Sequence, residues 1–280
     1  MNSLAEKEKA LRSIIKHYKQ VIVAFSGGVD SSFLLYIAHQ ELGNNVLGVT
    51  AVSDIRHPDD LHQSIIFCKK YTIPHEQIKT HEMMSEHFVT NLSNRCYYCK
   101  KIMCQSLQTV AKEKQINNIV HAINYDDLND YRPGIKAADE MNIKAPLVKA
   151  NMSKSDIRLL SKKLNLDTWH LPSQSCLATR IPYGIKITIE DLTRIQKSEQ
   201  LLSNLGFKVV RVRCHGDVAR IEVATDKINL FLNEPMKQHI NQSLQLFGFK
   251  FVTLDLQGYS IGRMNETIHD KNKNINSLMD

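Results

Sequence analysis

The chain has 280 residues, 36 Lys and Arg against 29 Asp and Glu, and a formal charge of +7. That length exceeds one typical domain and predicts one large or two unequal domains, and the positive balance favours an anionic partner: a nucleotide, a phosphorylated small molecule or RNA. No apolar run approaches the ~20 residues of a membrane span and no secretory leader is evident at MNSLAEKEKALRSIIKHY, so a cytoplasmic protein without membrane contact is expected.

Over residues 21–42, VIVAF reads as a strand, Ser26-Gly27-Gly28-Val29-Asp30-Ser31-Ser32 as a turn, and FLLYIAHQEL as a helix. Adjacent glycines let backbone approach an anion, hydroxyls donate to its oxygens, and a helix start adds open N–H groups and positive dipole. The turn lacks the lysine of GxxxxGK[ST] and carries an aspartate where the helix opens. Further runs (NVLGVTAV, EQIKT, NIVHAIN) alternate with helical stretches near 57–70, 96–115, 133–141 and 153–164. That rhythm predicts an α/β fold of βαβ units on a parallel sheet, with ligands at the carboxyl ends of the strands.

A loop-rich stretch at 171–186 carries Cys176 and separates a domain at 1–170 from a smaller α/β domain at 187–265. The latter is expected to hold a helix at 188–205, a hairpin of strands at 207–213 and 217–223 turning through His215-Gly216, a helical stretch at 226–247 and a last strand, FKFVTLDL. The polar tail at 266–280 lacks periodicity and is expected to be frayed.

Six cysteines in a reducing compartment argue for metal or redox use of some rather than a disulfide framework. Cys96 and Cys99 are three apart at a helix start, on one face, where the dipole and Arg95 favour thiolates. Cys176 lies in irregular chain, where a loop can deliver a thiol. With it, the pair could hold an iron–sulfur cluster or, completed by His87 or His170, zinc. Cys68, Cys104 and Cys214 read as packing thiols, His39, His75, His81 and His121 as ordinary histidines, and Trp169 and Met83-Met84 as packing. Arg211 and Arg213, two apart on a strand, share a face suited to gripping a phosphate or carboxylate, or else to solvent.

The first turn resembles the PP-loop of ATP pyrophosphatases, which split ATP between its α and β phosphates. SGGVDSS, NDYRPG at 129–134, SC at 175–176 followed by TRIPYG, VRVR at 210–213, ARIE at 219–222 and VTLDL…GRMN occur in the same order in the ATP-dependent sacrificial sulfur transferases (LarE) of nickel-pincer nucleotide biosynthesis. Where the family usually has a DG turn after the fourth strand, this chain has Ala122-Ile123-Asn124. The resemblance implies adenylation of a carboxylate of pyridinium-3,5-biscarboxylic acid mononucleotide, release of pyrophosphate and conversion to a thiocarboxylate. It implies that Ser26, Gly27, Gly28, Asp30, Ser31 and Ser32 hold the phosphates, with Asp30 on Mg²⁺ and Asp130 and Arg132 (beside Asp126) near the nucleotide. Arg180, Glu199, Arg211, Arg213 and Glu222 would form the substrate's anionic pocket. Family members use either one sacrificial cysteine, matching Cys176, or three cysteines on a [4Fe-4S] cluster; Cys96 and Cys99 beside Cys176 place this chain in the second group. A homo-oligomer is also implied. The rival readings are a PP-loop transfer RNA thiolation enzyme, an amide-forming PP-loop synthetase and a non-enzymatic nucleotide-binding module. Scattered basic residues and no RNA-binding module count against the first, and the cysteines against the second.

Overall fold

The computed structural model describes residues 3–172 and 175–260. The expected frayed tail, and the GRMN motif, lie outside the described residues. The chain divides into two units: the stretch up to Phe88 with that from Asn94 to Gln174, and Val89–Ser93 with the chain from Ser175 on.

In the first unit, β1 (Val21–Ala24), β2 (Val46–Val52), β3 (His75–Lys79) and β4 (Ile119–Val120) form one sheet in the order β3-β2-β1-β4. Every pairing is parallel, Val21 facing Val46 and Ile22 facing Ile119. Apolar runs without alternation form β1, β2 and β4 because helices cover both faces, whereas β3, at the sheet edge, is the polar and partly exposed HEQIK. On one face α1 (Leu4–Tyr18), α2 (Val29–Leu42), the single turn α7 (Pro146–Lys149) and α8 (Lys154–Lys163) bury Leu11, Phe33, Leu34 and Ile157 against Val21 and Val23. On the other, α5 (Arg95–Glu113) and α6 (Pro133–Glu140) bury Cys104, Leu107 and Ala138 against Ile22 and Val49. The remaining helices are α3 (Pro58–Lys70) and the single turn α4 (Glu86–Val89). Ser3 and Ser153 start α1 and α8 with capping boxes. The expected NIVHAIN strand is only two residues long, and on its edge away from β1 the Lys144 N–H donates to Ile119 O at 2.9 Å and the His121 N–H to Lys144 O at 3.0 Å, a single parallel bridge. Chain order reverses between β1 and β4, so the switch point of the sheet falls beside the Ser26 turn.

In the second unit, β5 (Val210–His215) and β6 (Val218–Val223) form the expected hairpin, turning at Gly216 with φ +62°, and β7 (Phe251–Leu254) adds parallel to β6. Helix α9 (Ile189–Asn204), capped by Thr188, packs on β5. The single helical stretch expected at 226–247 is two elements, a 3-10 segment at Thr225–Leu232 and α10 (Glu234–Leu246). Pro235 sits in the first turn of α10, where its ring tolerates a helix start but not a continuing helix. The stretch expected as a connector at 171–186 belongs, from Ser175 on, to this unit: Asn91 Nδ2 donates to the carbonyls of Ile181, Pro182 and Ile185 at 3.3, 2.8 and 2.8 Å. No helix among the described residues is long and apolar enough to cross a membrane.

Candidate active site

The Ser26 turn is held by its own hydroxyls. Ser31 Oγ lies 3.0 Å from Ser26 Oγ and donates to Gly28 O at 3.1 Å, and Ser32 Oγ donates to Gly27 O at 3.4 Å. Gly27 has φ +78°, and a Cβ there would stand 3.0 Å from Asp60 O and 3.4 Å from Ser64 N, so the turn lies directly on α3. Only glycine meets both demands. Gly28 caps α2 without any side-chain bond, leaving the first-turn N–H groups open to an anion.

Asp30, in that first turn, is the carboxylate of the site. Its Oδ2 accepts from Lys154 Nζ at 2.6 Å and from Asn124 Nδ2 at 3.3 Å, whereas its buried Oδ1 has no hydrogen-bond partner. An orphaned carboxylate oxygen beside a phosphate-type turn fits a hard cation that takes oxygen ligands, and Mg²⁺ needs only one such carboxylate when phosphates and water complete its shell. Among the described residues no group of three or more His, Cys, Asp or Glu side chains is placed to hold a metal ion.

The loop after β4 closes this site. Asn124 Oδ1 accepts from the N–H groups of Asp126 and Asp127 at 3.0 and 3.2 Å, an Asx-type turn that frees its Nδ2 for Asp30. Asp127 accepts from Asn124 N at 3.0 Å and pairs with Arg132 at 2.7 Å. Its burial raises its pKa, opposed by the Asn124 N–H and Arg132. Arg132 also reaches Asp130 at 3.3 Å, and Asp126 Oδ2 accepts from Lys154 N at 2.8 Å. Sequence reasoning named Asp126, Asp130 and Arg132 but not Asn124, Asp127 or Lys154. An Asn two residues before an Asp-Asp pair at a strand end was a signal for the first two; Lys154, 124 positions from Asp30, had none.

Cys96 is exposed and Cys99 half-buried in the first turns of α5, whose Asn94 cap makes no side-chain bond. Gly134 lets α6 approach this turn: a Cβ there would lie 3.2 Å from Cys96 O and 3.3 Å from Lys100 Cβ. The Arg95 side chain is fully buried, and His87 stacks on Tyr98 at 4.6 Å. Cys68, Cys104 and Cys214 are buried, and burial pushes their thiols up, to about 12 for Cys68 and about 11 for Cys214.

In the second unit, Cys176 is half-buried and opens the short turn Leu177–Arg180. Two buried ion pairs hold that turn. Arg180 Nε and Nη2 meet Glu199 Oε1 and Oε2 at 2.9 and 2.8 Å, while its Nη1 donates to Ser175 O and Cys176 O at 2.8 and 3.0 Å. Arg213 Nε and Nη2 meet Glu222 at 3.0 and 2.7 Å, and its Nη1 donates to Thr179 O at 2.8 Å. Both guanidiniums, expected against a substrate anion, place their Nε and Nη2 donors on Glu199 and Glu222 and their Nη1 donors on the loop that carries Cys176. Glu199 also accepts from the edge-strand Val212 N–H at 2.9 Å, and Glu222 from Arg220 at 3.0 Å. Arg211 shares the Arg213 face of β5, is half-buried, and lies over the Tyr259 ring at 5.2 Å. Burial first, then Arg180, lower its pKa.

A parallel sheet whose switch point carries a glycine-rich turn, an uncapped helix start and a cation-ready carboxylate defines an ATP-using α/β enzyme of the PP-loop class. Residues 4–101 match the family model of NAD synthase. The chain is 38% identical over 265 residues to an uncharacterized protein of Synechocystis, covering 95% of this chain and 99% of that protein. It is 34% identical over 269 residues to the pyridinium-3,5-bisthiocarboxylic acid mononucleotide synthase of Lactiplantibacillus plantarum, covering 96% and 97%. A protein of Methanocaldococcus jannaschii, also uncharacterized, is 33% identical over 258 residues, covering 92% and 94%. The chain belongs to the LarE family of ATP-using sulfurtransferases.

Proposed function

We propose that the chain converts a carboxylate of pyridinium-3,5-biscarboxylic acid mononucleotide to a thiocarboxylate for nickel-pincer nucleotide biosynthesis. The observation that carries this reading is the Asp30 carboxylate, with Oδ2 fixed by Lys154 and Asn124 and Oδ1 unpartnered at the turn. The name of the Lactiplantibacillus plantarum relative supports the substrate.

A carboxylate oxygen is a poor leaving group, and adenylation makes it a good one. The substrate carboxylate attacks the α-phosphorus of ATP, the bond to the β-phosphate breaks, and pyrophosphate leaves onto Ser26, Gly27, Gly28, Ser31 and Ser32. Asp30 would hold Mg²⁺, which would neutralise charge on the departing group. Sulfur then adds to the acyl carbon and AMP departs. Arg211, half-buried over the Tyr259 ring, is proposed to meet a substrate anion.

The sulfur donor follows from the cysteines. Cys96 and Cys99, one helical turn apart at the positive end of α5, are proposed to hold a [4Fe-4S] cluster with Cys176 as third ligand, and such a cluster would supply the sulfur. Arg180 and Arg213 then serve as positioning residues for Cys176.

The test is an anaerobic assay with Mg²⁺ and ATP, offering the pyridinium nucleotide and, separately, transfer RNA. Pyrophosphate release with the pyridinium nucleotide and a mass increase matching oxygen-to-sulfur exchange are expected. Sulfur found in the RNA instead would favour the thiolation enzyme, and intact ATP with every acceptor would favour a binding module.

A further inference from the structure

The first two turns of α5, which carry Cys96 and Cys99, are not anchored in the sheet core. Between Arg95 and Cys104 no residue of the helix is buried, and its core contacts, Cys104, Leu107, Val110 and Ala111, all come later. Helix α6 holds this stretch from the side. In its first turn the Gly134 backbone lies against the α5 backbone, so closely that a Cβ would stand 3.2 Å from Cys96 O and 3.3 Å from Lys100 Cβ. At its last residue Glu140 Oε2 accepts from the Tyr97 hydroxyl at 2.5 Å, and just beyond it Met141 O accepts from Gln108 Nε2 at 3.0 Å. Glycine is a poor helix former, and what it permits at 134 is this approach of one backbone to another.

The same helix begins on the loop that closes the nucleotide turn. Arg132 is its N-cap residue, and the Arg132 carbonyl accepts from Ile135 N at 2.9 Å. The Arg132 side chain pairs with Asp127 at 2.7 Å, Asp127 accepts from Asn124 N at 3.0 Å, and Asn124 Nδ2 donates to Asp30 at 3.3 Å. A continuous series of short contacts therefore runs from Asp30 through Asn124, Asp127, Arg132 and Gly134 to the Cys96 turn, all within the first unit. Spacing of this kind matters to a two-step reaction, because a displacement of about 1 Å at a reacting group costs on the order of a hundredfold in rate.

We propose that α6 is the spacer that fixes the Cys96–Cys99 turn relative to the nucleotide turn, with Gly134 as its positioning residue. The inference rests on the reading above, in which ATP is split at the Ser26 turn and sulfur is handled at Cys96 and Cys99, and adds what keeps the two in register. A side chain at 134 wedges α6 from α5. The nucleotide loop is tied down through Asp127 and Asp30, whereas the start of α5 has an Asn94 cap without a side-chain bond and no buried residue from 96 to 103. The displacement therefore falls on the thiols. In the sequence Gly134 merely ends the NDYRPG match; the fold shows which backbone it lies on.

Gly134→Ala and Gly134→Val are compared with wild type, as the full reduced chain, by the rate at which iodoacetamide alkylates each cysteine, read by peptide mass. Cys99 is expected to react at least twofold faster in Gly134→Ala and at least fivefold faster in Gly134→Val, with buried Cys104 on the same helix unchanged. An unchanged Cys99 rate in both variants overturns the proposal. So does an equal rise at Cys104, which would make Gly134 a support of the whole helix rather than of the thiol turn. In the anaerobic assay both variants should release pyrophosphate within twofold of wild type yet deliver at least fivefold less sulfur per pyrophosphate released, and an unchanged ratio would remove α6 from the register of the two steps. Absence of pyrophosphate release by the wild type would instead sink the ATP reading, and release without sulfur transfer the sulfur reading; the alkylation rates still decide whether Gly134 places the thiols.

Discussion

Arg180 and Glu199 meet through two parallel hydrogen bonds of 2.9 and 2.8 Å, with side chains only 4% and 6% exposed, and the same guanidinium holds the carbonyls of Ser175 and Cys176. A bidentate pair of this kind has its desolvation offset only while both partners remain. Glu199→Ala strands the buried Arg180 and should destabilise the second unit by about 3–5 kcal/mol, read from urea unfolding. Glu199→Gln, which still accepts from the Val212 N–H, should lose less. Equal stability of wild type and Glu199→Ala would show that the pair does not hold the loop.

At Gly27 the positive φ and the 3.0 Å approach to Asp60 O act together. Gly27→Ala should cost about 1–3 kcal/mol in backbone strain. The loop must also lift from α3, so pyrophosphate affinity should fall with stability. Pyrophosphate binding at wild-type strength in this variant would contradict the packing of the turn on α3.

Asp30→Ala removes the carboxylate proposed to hold Mg²⁺ at the turn and should abolish pyrophosphate release. Because Lys154 is left partly solvated, stability should change by no more than about 1 kcal/mol. Iron content after reconstitution should match wild type. Full pyrophosphate release would take Asp30 out of its role.

Anaerobic reconstitution of the wild type should load about four irons per chain. Cys176→Ala, Cys96→Ala and Cys99→Ala should each lose the cluster absorbance, whereas Cys104→Ala, at a buried core position, should keep it. A Cys176→Ala protein with an unchanged cluster would assign that thiol to direct sulfur donation instead.

His121 makes a pH prediction. Its folded pKa, about 3, lies below the ordinary value of 6.5, because burial and Lys100 disfavour the imidazolium. Between those values the unfolded chain binds the extra proton, so the stability contribution is complete above pH 6.5 and is lost as pH falls toward 3. The slope approaches about 1.4 kcal/mol per pH unit at its steepest. His121→Asn should flatten the acid limb of a stability-versus-pH curve over this window, and an identical limb would show that another group titrates there.

Patterns with a short period were legible directly: the strand-turn-helix at Ser26, the βαβ alternation, the β5–β6 hairpin and the shared face of Arg211 and Arg213 all follow from local chain geometry. The break at Pro235 was legible too, in a residue that cannot continue a helix, and was passed over because the apolar spacing runs on either side of it.

What the residues determined by themselves was the chemistry on offer: a phosphate-seeking turn with a carboxylate, a pair of helix-borne thiols, a loop cysteine and arginines spaced for anions. Which of those groups are spent within the protein was decided by tertiary structure alone. Lys154 reaches Asp30 across 124 positions, and Glu199 and Glu222 bury against Arg180 and Arg213. Side-chain type and spacing define what a group can bind, but burial and neighbours brought from distant chain define whether its hydrogen bonds and charge are already satisfied.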